Sequence, residues 1–163
     1  MKFTELANAI RTRLLADTTL VSLCTGGIKN FQGPLSGIND PNGKPYIYMA
    51  YGVADQQQHA QRADVWLASV QVFIKAPMNG SGTANNGGST ICQSIIDRVY
   101  GDWADQASLA PSYGLMRWQV GALTTPKWHA GVLVCNQIEY SGIDDENWFV
   151  AAMTLTCQVT LNA

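Results

Sequence analysis

Residues Gly82–Ser89 read GTANNGGS, one letter away from the phosphate-gripping pattern G-x-x-x-x-G-K-[ST], with Gly88 standing where the lysine belongs. Nucleotide chemistry at such a loop needs three things. The first glycine must follow a buried parallel strand, backbone N–H groups must cup the phosphates, and the lysine must supply a cation. Here the preceding segment alternates like a half-exposed strand, Ala76–Ser81 separate it from the motif, and Gly88 carries no charge. No later apolar strand ends in a lone aspartate suited to holding magnesium. Residues 76–88 contain four glycines, three asparagines and one proline without periodicity, and read as a flexible loop.

Other chemistry is equally thinly equipped. No G-x-S-x-G nucleophile turn occurs, and only His59 and His129 could serve as bases. His129 lies six residues before Cys135, a spacing that would allow a thiol–imidazole pair across a bend. Cys135, however, sits in an apolar strand pattern and His129 beside Lys127 and Trp128 in what reads as an exposed turn. Cys24, Cys92, Cys135 and Cys157 lack C-x-x-C spacing and fall within apolar segments, the pattern of buried reduced thiols, two disulfides being the alternative. Asp144-Asp145-Glu146 has neither the alternating ligands nor the central glycine of a calcium loop. The residues thus point to no catalytic group, cofactor or metal, and to a binding or structural part instead.

The elements that must hold these residues in place follow from composition and period. At 163 residues the chain fits one domain, 1–163. Only 13% of residues are charged, while glutamine (eleven) and asparagine (ten) are abundant, so the surface is wet but weakly charged. A net charge of −2 with five lysines and five arginines scattered along the chain offers no footprint for sequence-specific nucleic-acid binding. The N-terminal residues lack the pattern of an export signal, so a cytoplasmic, soluble protein is expected. No stretch reaches the roughly 20 apolar residues of a membrane span, because Thr154, Thr156 and Gln158 interrupt the uncharged C-terminal run.

Phe3, Leu6, Ala7, Ile10 and Leu14 recur at helical spacing and predict an amphipathic helix ending near Asp17, followed by a short helical turn through Leu20, Val21 and Leu23. Ile28–Phe31 reads as a short strand, Asp40-Pro41-Asn42-Gly43 as a turn, and Pro45–Val53 as a strand with Tyr46 and Tyr48 on one side and Ile47, Met49 and Tyr51 on the other. After a polar stretch at Gln56–His59, a third strand spans Asp64–Lys75 with Trp66, Ala68, Val70, Val72 and Ile74 on one face. Thr90 and Gln93 have capping-box spacing and predict a helix start there, with Ile91, Cys92, Ile95, Ile96 and Val99 as its buried stripe and Gly101 as its stop. Strands are predicted over Leu115–Leu123, Val132–Tyr140 and Trp148–Leu161, the last with Phe149, Ala151, Met153, Leu155, Cys157, Val159 and Leu161 inward. The fold class is α+β: a mainly antiparallel sheet of about five to six strands with two helices on one face.

The order FTELANAIRTRLLADTTLVSLC, IKNF, PYIYMAYG, ASVQVFIKA, STICQSIIDRVY and FVAAMTLTCQVTL resembles that of the tail terminator, or tail-completion, proteins of long-tailed bacteriophages over nearly the whole chain. The insert at 76–88 and the stretch Gly114–Trp128 depart from the compact family pattern. The resemblance implies a virion protein of the tail neck, made in the host cytoplasm. It implies a ring of copies, hexameric in that family, which caps the tail tube protein, stops tube growth and faces the head–tail connector protein, with DNA passing through its lumen. A neighbouring neck adaptor is the alternative, and a small nucleotide-binding enzyme the rival from another class. Expected interface residues are Gln56, Gln57, Gln58, His59 and Arg62 in one loop, Asn79, Asn85 and Asn86 in the other, and Lys75, Arg62 and Arg117 as polar anchors.

Overall fold

Ala63–Pro77 (β3) and Trp148–Asn162 (β7), in which apolar and polar residues alternate over Ala68–Val72 and Met153–Asn162, are the two central strands, paired antiparallel from Ala63↔Asn162 to Pro77↔Trp148 without a register shift. The computed structural model describes residues 3–30, 43–60, 63–78, 88–101, 111–123, 127–143 and 147–162. Its other elements are α1 (Phe3–Leu15), α2 (Thr18–Leu23), β1 (Ile28–Asn30), β2 (Tyr46–Ala60), α3 (Gly88–Tyr100), β4 (Gln119–Ala122), β5 (Trp128–Val132) and β6 (Val134–Ile143). The sheet runs β1-β2-β3-β7-β5-β4, with β6 also pairing β7. It is mixed rather than wholly antiparallel, because β1 lies parallel to β2. The α+β class stands, with three described helices and seven described strands.

Period-two alternation sends Ala68, Val70, Val72 and Ile74 of β3 and Ala151, Met153, Leu155, Cys157 and Val159 of β7 to one face, all essentially buried. Over that face α1 supplies Leu6, Ile10 and Leu14, and α3 supplies Cys92, Ile95, Ile96 and Val99. The 3.6-residue period of each helix aligns these side chains in one stripe, which is why removing them from water drives the helices onto the sheet. From Tyr46 to Met49, β2 divides as its sequence predicts, the side chain of Tyr51 lying outside the described residues. Ile47 and Met49 join the main core, whereas Tyr46 and Tyr48 join Trp148 and Phe73 in an aromatic cluster on the opposite face. Tyr48 stacks on Phe73 with centroids 4.8 Å apart, and Tyr46 meets Trp148 edge-on at 5.7 Å.

Several expectations are corrected. β2 continues to Ala60, so Gln56–His59 lie in a strand paired with Asp64–Trp66 rather than in a loop; bulges after Tyr51 and Gln56 break the alternation that would have revealed it. The expected strand at Leu115–Leu123 begins only at Gln119, because Leu115 and Met116 donate N–H bonds to Val99 O and Tyr100 O. They thereby satisfy carbonyls that the end of α3 leaves free. Gly101 and Gly114, at φ 114° and 81°, let the two backbones meet there: a Cβ on Gly114 would stand 2.4 Å from the Gly101 Cα. The expected strand Val132–Tyr140 is two strands broken at Leu133, which is fully buried and exchanges backbone bonds with Arg117 and Trp118. α3 starts at Gly88, two residues before the predicted capping box, and the Gln93 amide donates forward to Asp97 instead. Most of the Asp40–Gly43 turn and all of Asp144–Glu146 lie outside the described residues.

One ion pair ties the helices together. Asp17 caps α2 by accepting from Thr19 and Leu20 N–H, and its carboxylate also takes both Nε (2.6 Å) and an Nη (2.9 Å) of Arg98 on α3. The Arg98 guanidinium stacks on Tyr113 at 3.5 Å, while Arg13 lies over Trp118 and bonds Pro111 O and Gly114 O. Burial by itself would raise the Asp17 carboxyl, but the Arg98 hydrogen bonds and the two N–H donors outweigh it and hold it below the ordinary value. A depressed carboxylate adds stability above the unfolded-state value, near 3.9, and loses it as pH falls through the lower folded value. Asp17→Asn should therefore cost about 1–3 kcal/mol at neutral pH, and the gap to the native chain should close in acid below about pH 4. Chemical denaturation across pH checks this; a gap that does not change with pH would contradict it.

Candidate functional site

Gly88 opens α3 and is buried, and a Cβ there would sit 2.6 Å from Phe149 Cδ2 and 2.8 Å from Pro77 O. The position that in a phosphate loop would carry lysine is thus a packing glycine, where the helix start presses on the ends of β3 and β7. Gly82–Gly87 lie outside the described residues, and Ser89 is already within the helix. His129 and Cys135 do not meet. His129 pairs with Thr160 and Cys135 with Leu155, so the imidazole leaves the outer face of the sheet while the thiol faces the helices. Burial pushes the Cys24 thiol up to about 12, with Cys92 adding to the effect, and pushes Cys92 and Cys157 up to about 11 and about 12. Burial also raises Cys135. Free and uncharged, these thiols act as small apolar packing groups at neutral pH.

The expected interface residues scatter. Gln56, Gln57, Gln58 and His59 follow one another along the second half of β2, while Arg62, Asn79, Asn85 and Asn86 are outside the described residues. Lys75, expected as a polar anchor, is only 8% exposed, and its ammonium lies 6.0 Å from the Trp148 ring centroid, so it packs against the aromatic cluster. Arg117 is exposed, on a turn with φ 60°.

The feature that the sequence does not reveal is the apolar row that β6 carries. Its register slips by one residue between Cys135 and Gln137 and again between Tyr140 and Gly142. Each slip keeps an apolar residue on the helix-covered side, opposite Leu155, Met153, Ala151 and Phe149 in turn. The resulting row, Cys135, Ile138, Tyr140 and Ile143, has a spacing of neither strand nor helix. It runs beyond the cover of α3, leaving Ile138, Tyr140 and Ile143 between 44% and 48% exposed. Between this row and α3 lies an open groove of about 650 Å³, with Leu23, Ile96 and Tyr100 among its apolar walls and Gln93, Asp97 and Arg98 on its polar rim. An exposed apolar row beside an open strand edge is a surface suited to docking another polypeptide.

No protein-family model matches the chain, and no curated protein matches it. Among solved structures, the fold is similar to that of a chain in the virion of a native gene transfer agent particle, with a TM-score of 0.54 and 14% identity over 96% of both chains. No described helix is long and apolar enough to cross a membrane.

Restoring the phosphate-loop letter with Gly88→Lys should lower stability by about 1–3 kcal/mol through overpacking against Phe149 and Pro77, and should confer no nucleotide binding. Thermal unfolding together with ATP titration calorimetry tests both halves. Saturable ATP binding by the native chain or the variant would contradict the packing role.

Proposed function

We propose that the chain is a structural protein of a phage-type virion, acting as a tail terminator: copies form a ring on the last disc of the tail tube, halt its growth and present a surface to the head connector. The observation that carries this reading is the similarity of fold, over 96% of both chains, to a chain of a virion particle. Two further features support it. The element order resembles that of tail terminators, and the inner face of the sheet is filled by the chain's own helices while the β6 row stays open. A ring subunit needs two different patches that meet by rotation, and a sheet whose two margins differ provides them. Within this reading Gln56–Arg62, Asn79, Asn85, Asn86 and Arg117 are the proposed polar contacts to tube or connector. Lys75 is left out because it packs over Trp148 and is buried.

Particle imaging with a tagged chain tests the assignment. The tag should decorate the head-proximal end of the tail, and particles made without the chain should carry tails of irregular, excessive length. A tag found one layer higher, with normal tail lengths in its absence, would make the chain a neck adaptor; absence of the tag from purified particles would overturn the virion role altogether.

A further inference from the structure

We infer that the cavity between the end of α1, the start of α2, the end of α3 and the segment Pro111–Tyr113 is a binding site for a small tetrahedral oxyanion of the inorganic phosphate class, held between Arg13 and Arg98. The site stands apart from the ring reading above and holds whether or not the chain is part of a virion.

Two cations and a single anion meet there. The cavity, of about 260 Å³, has Arg13, Asp17, Thr18, Arg98, Ser112 and Tyr113 as its polar walls. Asp17 is the one carboxylate among these described walls, so the two guanidiniums leave a positive charge over. Asp17 engages Arg98 through Nε and an Nη. Arg13, by contrast, makes no ion pair among the described residues and donates to backbone carbonyls, Nε to Gly114 O at 3.3 Å and an Nη to Pro111 O. A guanidinium carries five N–H donors, so both arginines keep donors beyond these bonds. Burial works against the Arg13 charge and Asp17 offsets that only in part. An anion in the cavity supplies the remainder.

The helix dipole accounts for a cation at each helix end, since Arg13 and Arg98 lie in the last turns of α1 and α3. It does not account for both guanidiniums bordering the same cavity, nor for the three hydroxyl-bearing residues, Thr18, Ser112 and Tyr113, that line it with them. Guanidiniums and hydroxyls together suit an ion with acceptors on several sides. Both cations are also oriented before any ligand arrives, Arg98 at 3.5 Å from the Tyr113 ring centroid and Arg13 at 5.4 Å from that of Trp118, so binding orders little. A phosphate in this place bridges α1 to α3, as Asp17 bridges α2 to α3. With a water occupying about 30 Å³, the volume takes one such ion and a few waters, and has no room for the sugar and base of a nucleotide.

The test is titration calorimetry of the full-length chain with sodium phosphate, at an ionic strength held constant with sodium chloride, together with thermal unfolding in the same solutions. The expected result is saturable binding in the millimolar range, an unfolding midpoint that rises with phosphate concentration, competition by sulfate and none by ATP. Arg13→Gln should weaken phosphate binding about tenfold. Ser112→Ala should weaken it less and, because Ser112 is exposed, leave the midpoint in chloride unchanged. Asp17→Asn separates a binding cavity from a purely structural cluster: it should lose stability in chloride, as derived above, yet bind phosphate more tightly, because the carboxylate that competes for the cations has lost its charge. Should Arg13→Gln fail to fold, Ser112→Ala and Asp17→Asn decide the matter. Phosphate that neither binds saturably nor raises the midpoint beyond chloride, an affinity indifferent to Arg13→Gln, weaker binding by Asp17→Asn, or ATP competing as strongly as sulfate would overturn the inference.

Discussion

The β3–β7 ladder is the constraint on which the rest of the molecule depends. Its fifteen residue pairs run without a shift, and side chains alternate strictly along both strands, so a slip of one residue would turn the whole apolar set to the wrong face. This register places Val72 and Met153 on the same buried face under α3, and Phe73 and Lys75 on the other. Everything outside the ladder is less regular. β2 joins it on one side with two bulges, and on the other side the β5–β6 segment joins it with a break at Leu133 and two bulges. Regularity at the centre and irregularity at the margins give a sheet that is fixed in its core and adapted at its edges.

Those margins hold the molecule's exposed apolar side chains, Ile138, Tyr140 and Ile143 among them. Residues that could have formed a site are diverted to packing. Gly88 allows the start of α3 to press against Phe149, and Lys75 lies over Trp148. Cys24, Cys92 and Cys157 are buried, neutral thiols. The conspicuous charged group inside, the Asp17–Arg98 pair, joins the start of α2 to the end of α3 and through Tyr113 holds the returning segment. By fixing α3 it also fixes one wall of the groove that faces β6.

The sequence announced the centre clearly and the margins poorly, for a physical reason. Where burial is one-sided and pairing unbroken, as in β3, β7, α1 and α3, the apolar period is written directly into the residues. The split of Tyr46 and Tyr48 from Ile47 and Met49 was legible for the same cause. A bulge inserts a residue and resets the alternation, so the row Cys135, Ile138, Tyr140 and Ile143 shows no recognisable period, and Gln56–His59 look like loop although they are strand. Leu115–Trp118 alternate like a strand, yet they close the end of α3, because Gly101 and Gly114 bring the backbones together, a tertiary contact that no local pattern encodes. The β6 groove went unseen because it depends on where α3 ends relative to a strand some forty residues later in the chain.

Amide hydrogen exchange on the free chain and on assembled particles measures the division between fixed centre and open margin most directly. β3 and β7 should be the slowest-exchanging segments in both states, while amides of β6 from Gln137 to Ile143 should exchange quickly in the free chain and become protected on assembly. A β6 as protected as β3 in the free chain, or unchanged by assembly, would contradict this account.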